Sequence, residues 1–198
     1  MLALYETGVR PTHPVITQQD IRELDQLSEV APSRALRYSL SLVRRLAGEF
    51  AARVSGRPPE AISWAQENGP QIVHHVAGRG DRWWLGYFLW LPGAATPIHD
   101  HTSWGIYSCV SGTLLEERYR RLDDEAQPNQ AHLRLRWQRR WNQGQSSGLL
   151  PYAGGIHRVA NQSLRPAWSV HLYGPRLGEF DGRDYDPARD YVCDRQER

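Results

Sequence analysis

The sequence has no lysine and only two cysteines among its 198 residues. Two thiols, Cys109 and Cys193, are too few for the disulfide framework of a small secreted protein. Residues 1–10 have no apolar core of signal-peptide length, and no stretch approaches the roughly 20 apolar residues of a membrane-spanning helix. We therefore expect a cytoplasmic protein that does not interact with membranes.

An excess of charge of one sign is also missing. The 24 basic and 22 acidic residues leave a net charge of +2, and there is no long basic run, so we do not expect nucleic acid as a partner. The apolar fraction of 40% includes eight Trp and nine Tyr, which is enough for a sizeable core. This composition fits one structural domain overall.

The first third of the chain has the pattern of helices. Thr17 and Asp20 have the spacing of a capping box, and Pro32 opens a longer segment in which apolar residues recur every three or four positions. This stripe consists of Leu36, Leu40, Val43, Ala47, Phe50 and Val54. We predict that residues 1–70 form a helical segment packed on the remainder, residues 71–198.

The rest of the chain has the pattern of short strands separated by turn residues, which predicts a mainly β sandwich or barrel. The candidate strands are Trp83–Trp90, Gly105–Val110, Leu114–Arg120, His132–Trp137, Gly148–Tyr152 and Trp168–Tyr173. The polar stretch from Arg176 to Arg198 is expected to wrap the surface or fray.

Three histidines are the candidate metal ligands. His99 and His101 lie two positions apart in a β-prone run, so both imidazoles should point to one face. His157 is a third histidine in a comparable setting. Three protein ligands with open positions are typical of a catalytic metal site. Imidazole suits Fe, Zn, Cu and Ni, so the ligands alone do not fix the metal.

The spacing around these histidines resembles the two motifs of the cupin superfamily. The matching residues are Gly93, His99, His101 and Gly112 in the first motif, and Gly154, His157 and Asn161 in the second. The resemblance implies a double-stranded β-helix barrel, with the N-terminal α-helices packed on it.

The acidic ligand of the cupin motif is missing. Its position falls at Gly105, or at Ile106 with the longer spacing, and neither side chain can bind a metal. A divalent ion held only by neutral imidazoles keeps its full charge, so it favours anionic substrates and deprotonates a coordinated thiol.

Within the cupins, three segments resemble the cysteine dioxygenase family of thiol dioxygenases: residues 97–102, 156–161 and 169–175. The resemblance implies that Fe(II) binds a thiolate and O2 side by side, and that both oxygen atoms go to sulfur. It also implies that Tyr173 is the active-site phenol, with His171 and Ser169 hydrogen-bonded behind it. Strand spacing agrees, because these three residues share a face.

Two departures separate this chain from the animal-type enzyme. In that enzyme, a cysteine a few residues after the two histidines of the first motif is linked to the active-site tyrosine through a thioether. Gly105 stands at this place and Cys109 comes four residues too late, so we predict no crosslink. The arginine that binds the substrate carboxylate is also missing from residues 71–75.

Without this arginine, the chain resembles a bacterial, glutamine-type branch of the family that is often associated with 3-mercaptopropionate. In that branch an arginine after the Ser-x-His-x-Tyr segment holds the carboxylate. Arg183 is one residue late for this position, Arg176 is the alternative, and Gln71 is the candidate glutamine.

The leading hypothesis is thus an Fe(II)-dependent thiol dioxygenase. Its partners would be O2 and a small thiol, L-cysteine or 3-mercaptopropionate, and its product a sulfinic acid. Two alternatives stay open: a different cupin metalloenzyme, and a non-catalytic binding cupin. The sequence does not choose the thiol or the oligomeric state.

Overall fold

The computed structural model describes residues 5–6, 16–27, 29–54, 71–176 and 181–194. The helices of this part are α1 (Gln18–Leu27) and α2 (Pro32–Val54). The strands are β1 (Tyr5–Glu6), β2 (Ile72–Arg79), β3 (Trp84–Trp90), β4 (Ile98–His99), β5 (Gly105–Ser111), β6 (Thr113–Arg121), β7 (Leu133–Asn142), β8 (Ser146–Leu149), β9 (His157–Ala160), β10 (Ala167–Tyr173), β11 (Arg183–Asp186) and β12 (Tyr191–Asp194). The predicted mainly β class with N-terminal helices is confirmed.

The described strands form two six-stranded sheets. The first has the order β1-β2-β3-β10-β5-β8, and the second β12-β11-β4-β9-β6-β7. Between them lies an apolar cluster in which Trp90 and Cys109 of the first sheet meet Leu114 and Val159 of the second. Two sheets packed face to face around such a core make the predicted cupin barrel.

The N-terminal helices pack on the outer face of the first sheet. The predicted capping box is confirmed: the Asp20 amide donates to Thr17 Oγ1 at 3.1 Å, and the Thr17 amide donates to Asp20 Oδ2 at 2.8 Å. On α2, Phe50 is buried with its ring 4.3 Å from Tyr87 and 5.3 Å from Trp168. Positions 55–70 of the predicted helical segment lie outside the described residues, and its bounds as a separate unit stay a prediction.

The C-terminal stretch differs from the expectation that it wraps the surface or frays. Its described part contains the hairpin β11–β12, and β11 pairs with β4. Tyr185 and Val192 are buried in a small cluster with Ile156. Burial of these two side chains stabilises the position of the hairpin on the barrel, although the residues around them are polar. The hairpin therefore lies beside the first histidine motif.

Smaller differences occur elsewhere. β7 continues to Asn142, five residues beyond the predicted end, and β8 ends at Leu149 before a 3-10 helix at Tyr152–Gly155. Among the described residues, no helix is long and apolar enough to span a membrane.

Candidate metal centre

The three predicted ligands converge inside the barrel. His99 ends β4, His157 begins β9, and these two residues pair directly in the second sheet. The Nε2 atom of His99 lies 3.1 Å from Nε2 of His101 and 3.1 Å from Nε2 of His157. All candidate ligand atoms lie within 4.8 Å of one another, and all three side chains are buried. This geometry brings three nitrogen donors to one point and could hold a metal ion.

Two of the imidazoles are held in the form that a metal requires. His99 Nδ1 lies 3.0 Å from the Pro97 carbonyl oxygen, and His157 Nδ1 lies 3.3 Å from Glu116 Oε1. A neutral imidazole that donates from Nδ1 has its lone pair on Nε2. The Nε2 atoms that converge are therefore the ones able to bind a cation.

Glu116 is the main residue of the centre that the sequence did not single out. It is 0% exposed, and its Oε2 accepts hydrogen bonds from Trp141 Nε1 at 2.8 Å and from Ser147 Oγ at 2.7 Å. Burial alone would raise the pKa of Glu116, but the hydrogen bond with His157 and the charge of Arg118 outweigh it and lower the pKa to about 2. Glu116 is thus a buried carboxylate anion behind His157, one of the candidate ligands.

This carboxylate does not cancel the charge of a bound ion. The guanidinium of Arg118 donates from Nε to Glu116 and from Nη2 to the Gly148 carbonyl at 2.6 Å. Glu116 and Arg118 together are neutral, so the expectation from the sequence, an ion with its full positive charge, still applies. The sequence contains one indication of this pair: Leu114, Glu116 and Arg118 alternate along β6, so all three share its inward face.

Ser169, His171 and Tyr173 form the hydrogen-bonded line that the resemblance implied. Ser169 Oγ lies 2.8 Å from His171 Nε2, and His171 Nδ1 lies 3.1 Å from Tyr173 Oη. Trp90 Nε1 donates to Ser169 Oγ at 2.8 Å. The buried Ser169 hydroxyl contacts this indole, which can only donate, and His171 Nε2, so Nε2 is the acceptor for the Ser169 proton and Nδ1–H of His171 donates to Tyr173.

The direction of this line leaves the Tyr173 O–H pointing away from His171. The Tyr173 ring centroid lies 4.9 Å from that of His101, so the phenol lies beside the candidate metal ligands. Burial lowers the pKa of His171 to about 3. His171 is therefore neutral at physiological pH and acts as a fixed donor to the phenol.

Gly105 lies directly under the Tyr173 ring. The two residues pair between β5 and β10, and a Cβ at Gly105 would lie 2.9 Å from both Cδ1 and Cε1 of Tyr173. Cys109 instead pairs with Ser169, and burial raises the pKa of its thiol to about 12. The sequence assigned Gly105 to the position of the crosslinking cysteine, and the structure puts this glycine against the tyrosine.

The three predicted substrate-binding residues are not brought together at the centre. Arg183 makes ion pairs with Asp100 at 2.8 Å and Glu125 at 2.9 Å. Arg176 is exposed, with Nε 3.9 Å from Asp181. Gln71 is exposed at the start of β2. Their role toward a substrate stays a prediction.

His74 lies on β2, a strand that is not among those predicted from the sequence. Its ring centroid is 5.7 Å from that of Phe88 and 6.0 Å from that of Trp84. Phe88 in turn contacts His171 at 4.3 Å, and Trp84 lies 5.9 Å from Tyr173. His74 therefore belongs to the inner wall, one layer of rings behind the phenol.

The fold and the site define a class of protein: a cupin barrel with a buried three-histidine centre that could bind a metal. The model of one family, described as cysteine dioxygenase type I, matches residues 67–186, more than half of the chain. The protein therefore belongs to the cysteine dioxygenase type I family. The enzymes of this family use non-haem iron.

Three solved structures are similar to about half of the chain. Protein TT1209 from Thermus thermophilus is 22% identical with a TM-score of 0.42, and the match covers 55% of this chain and 88% of that one. The Cupin_2 domain of an XRE family transcriptional regulator from Enterobacter cloacae is 19% identical with a TM-score of 0.37, covering 54% and 99%. A cupin superfamily protein from Desulfitobacterium hafniense is 13% identical with a TM-score of 0.39, covering 53% and 78%. The assignment to the family does not depend on these similarities.

Proposed function

We propose that this protein is a mononuclear iron thiol dioxygenase that converts a small thiol and O2 into a sulfinic acid. One observation supports this most directly: the buried imidazoles of His99, His101 and His157 converge beside a tyrosine whose hydroxyl is oriented by a neutral histidine. The reaction is RSH + O2 → RSO2H. Sulfur loses four electrons, which reduce both oxygen atoms, so no further reductant is needed.

Iron fits the residues that are present. Three neutral nitrogen donors on one side of the site would hold Fe(II) and leave positions open for small ligands. When bound, the iron would supply the redox chemistry that couples a thiol to dioxygen. Holding both reactants at one centre would supply proximity.

The residues around the centre favour a thiolate. Neither Glu116 nor any other side chain in the cluster neutralises the charge of a bound cation, because Glu116 is paired with Arg118. A positive centre lowers the pKa of a thiol beside it, so the substrate would lose its S–H proton on binding. Burial of the ligands excludes water, which strengthens this attraction.

Tyr173 would act on the reactants through its hydroxyl. The line from Trp90 through Ser169 and His171 fixes the proton of His171 on Nδ1, so the phenol accepts from His171 and its own O–H can donate into the site. A hydrogen bond from this O–H would stabilise negative charge that develops on oxygen during the transfer to sulfur.

L-Cysteine and 3-mercaptopropionate are the substrates that we propose to test first. Both carry a carboxylate in addition to the thiol, and a centre with undiminished positive charge suits such anions. Arg176 and Gln71 are kept as candidate contacts of the carboxylate. The contacts of Arg183 lead to a different role, argued in the next subsection.

The test is O2 uptake by iron-loaded protein with L-cysteine, 3-mercaptopropionate and 2-mercaptoethanol. We expect one O2 consumed per thiol, a sulfinate product, and loss of activity in His157→Ala. The control is His132→Ala, since His132 is an exposed histidine whose Nδ1 pairs with Asp190 at 3.1 Å. Activity that survives His157→Ala would refute the proposal, and full activity only with another metal and a non-thiol substrate would replace it with a different cupin metalloenzyme.

A further inference from the structure

We propose that Arg183 and Tyr185 are positioning residues. By fixing Asp100, they hold the segment from His99 to His101 in its metal-binding form. In this role Arg183 does not bind the substrate. The inference rests on the proposed metal centre, and it assigns a function to the hairpin β11–β12.

Asp100 has an unusually complete set of donors for a single carboxylate. It is buried, and its Oδ1 accepts from the backbone amide of Arg183 at 2.7 Å. Its Oδ2 accepts from Arg183 Nε at 2.9 Å, from Arg183 Nη2 at 2.8 Å and from the Tyr185 hydroxyl at 2.7 Å. The Asp100 amide also donates to the Arg183 carbonyl at 3.0 Å. Bonds to both oxygens and to the backbone fix this residue in position and in orientation.

The position of Asp100 makes this arrangement relevant to the metal. It lies between His99 and His101, so in extended backbone its side chain points away from the face of the two ligands. β4 ends at His99, and His101 lies beyond its ladder of hydrogen bonds. The hydrogen bonds of Asp100 therefore fix the backbone beyond the end of β4, where the ladder no longer does so. They thereby set the direction in which the His101 side chain points.

The hairpin also approaches this segment through its backbone. Gly182 has a φ of +122°, and a Cβ there would lie 2.2 Å from the Asp100 carbonyl oxygen and 2.9 Å from His101 Cα. No side chain fits into that space, and the conformation favours glycine. Gly182 thus packs directly on the peptide that joins Asp100 to His101.

The contacts of Arg183 leave it unsuited to a substrate carboxylate. Nε and Nη2 face Asp100, and Nη1 pairs with Glu125 at 2.9 Å, which also pairs with Arg121 at 3.0 Å. A substrate could reach Nη1 only by displacing Glu125, and Nε and Nη2 only by displacing Asp100. The latter exchange would leave a buried carboxylate without its charge partner, which is strongly unfavourable.

The test measures metal binding without turnover, with Co(II) as the probe. We expect Arg183→Gln to weaken Co(II) binding about 10- to 100-fold, the range for residues that orient a ligand, and to change the visible Co(II) spectrum. Tyr185→Phe removes one bond to Asp100 without altering the charge, so it should change both readouts in the same direction but less. The matched control is Arg189→Gln, because Arg189 is 75% exposed and pairs with Asp186 on the same hairpin at 2.6 Å.

A comparison of two thiols separates positioning from substrate binding. In iron-loaded Arg183→Gln, kcat should fall by a similar factor with 3-mercaptopropionate and with 2-mercaptoethanol, which has no carboxylate. Wild-type Co(II) affinity in Arg183→Gln and Tyr185→Phe, with a KM raised only for 3-mercaptopropionate, would overturn the inference and make Arg183 a substrate ligand. If Arg183→Gln does not fold, the Tyr185→Phe measurement decides alone. Wild-type protein that binds no Co(II) would overturn the metal centre itself, and this inference with it.

Discussion

The close packing of Gly105 against Tyr173 gives the most direct test of how the phenol is placed. The change is Gly105→Ala, which adds a single methyl group. Its carbon would lie 2.9 Å from Cδ1 and Cε1 of Tyr173 and 3.3 Å from Leu149 Cδ1. Carbon atoms in favourable contact lie about 3.5–4.0 Å apart. The Tyr173 ring must therefore move by about 0.6 Å.

A movement of this size has two consequences of different magnitude. Overpacking of a buried site costs about 1–3 kcal/mol of unfolding free energy, which the domain should survive. The same shift along the bond would lengthen the 3.1 Å contact between Tyr173 Oη and His171 Nδ1 to about 3.7 Å, beyond hydrogen-bonding range. Because a misplacement of about 1 Å can cost about 100-fold in rate, we expect kcat to fall about 10- to 100-fold.

The assay is O2 uptake with the best thiol of the panel, together with thermal denaturation of the same samples. The matched control is Gly148→Ala on the neighbouring strand β8, because a Cβ there would lie 3.5 Å from Leu36 Cδ2, an ordinary contact. Tyr173→Phe supplies the upper limit of the effect. Co(II) binding should be unchanged in all three variants, since none of them alters a ligand or Asp100.

Two results would refute this reasoning. If Gly105→Ala retained wild-type kcat, the exact placement of the Tyr173 ring would not matter for the reaction. If it lost far more activity than Tyr173→Phe, the damage would not act through the phenol. A fall in kcat that stops at the level of Tyr173→Phe is the expected outcome.

Three further predictions concern stability and reactivity. The pKa of Glu116 lies at about 2 instead of 4.5, so its ionised form contributes about 3 kcal/mol that is fully present above about pH 4.5 and lost as the pH falls toward 2; chemical denaturation of Glu116→Gln at several pH values should show a lower stability at pH 7 and a weaker loss in acid. Because burial raises the pKa of Cys109 to about 12, a thiol reagent should label at most one cysteine of the native protein and two after unfolding, and two labelled in the native protein would contradict the assignment. Phe50→Ala should cost about 3–5 kcal/mol in urea denaturation, whereas Tyr38→Ala, at a position of the same helix that is 53% exposed, should cost less than about 1 kcal/mol.

Two of the three candidate ligands could be predicted because their geometry follows from a short spacing. Two residues at i and i+2 of an extended run share a face whatever surrounds them, and His99 and His101 do bring their Nε2 atoms to 3.1 Å. The line from Ser169 to Tyr173 follows the same period within β10. His157 is 58 positions from His99 in sequence, so no strand period relates the two, and it was predicted from its comparable setting and from the second cupin motif.

The residues behind the ligands could not be predicted because their partners are distant in sequence. Glu116 meets His157 across 41 positions, and Arg183 meets Asp100 across 83. The strand period tells which side chains face inward, but it does not tell which of them meet. Arg183 is the clearest case: its offset from Tyr173 suggested a substrate ligand, and nothing in the strand period indicated that the pairing of β11 with β4 brings it to Asp100.

Glu116 and Asp100 are two buried carboxylates behind the histidine cluster, and the charge of each is balanced in the same way. Glu116 orients His157, and Asp100 fixes the segment that carries His99 and His101. A buried anion therefore lies behind each of the two chain segments that supply the candidate ligands. An unpaired anion at this distance would attract the cation but would also weaken its pull on a thiolate. Each carboxylate is paired with an arginine, Arg118 or Arg183. Each arginine thus balances the charge of the carboxylate it pairs with, so a cation bound by the three histidines would keep its positive charge.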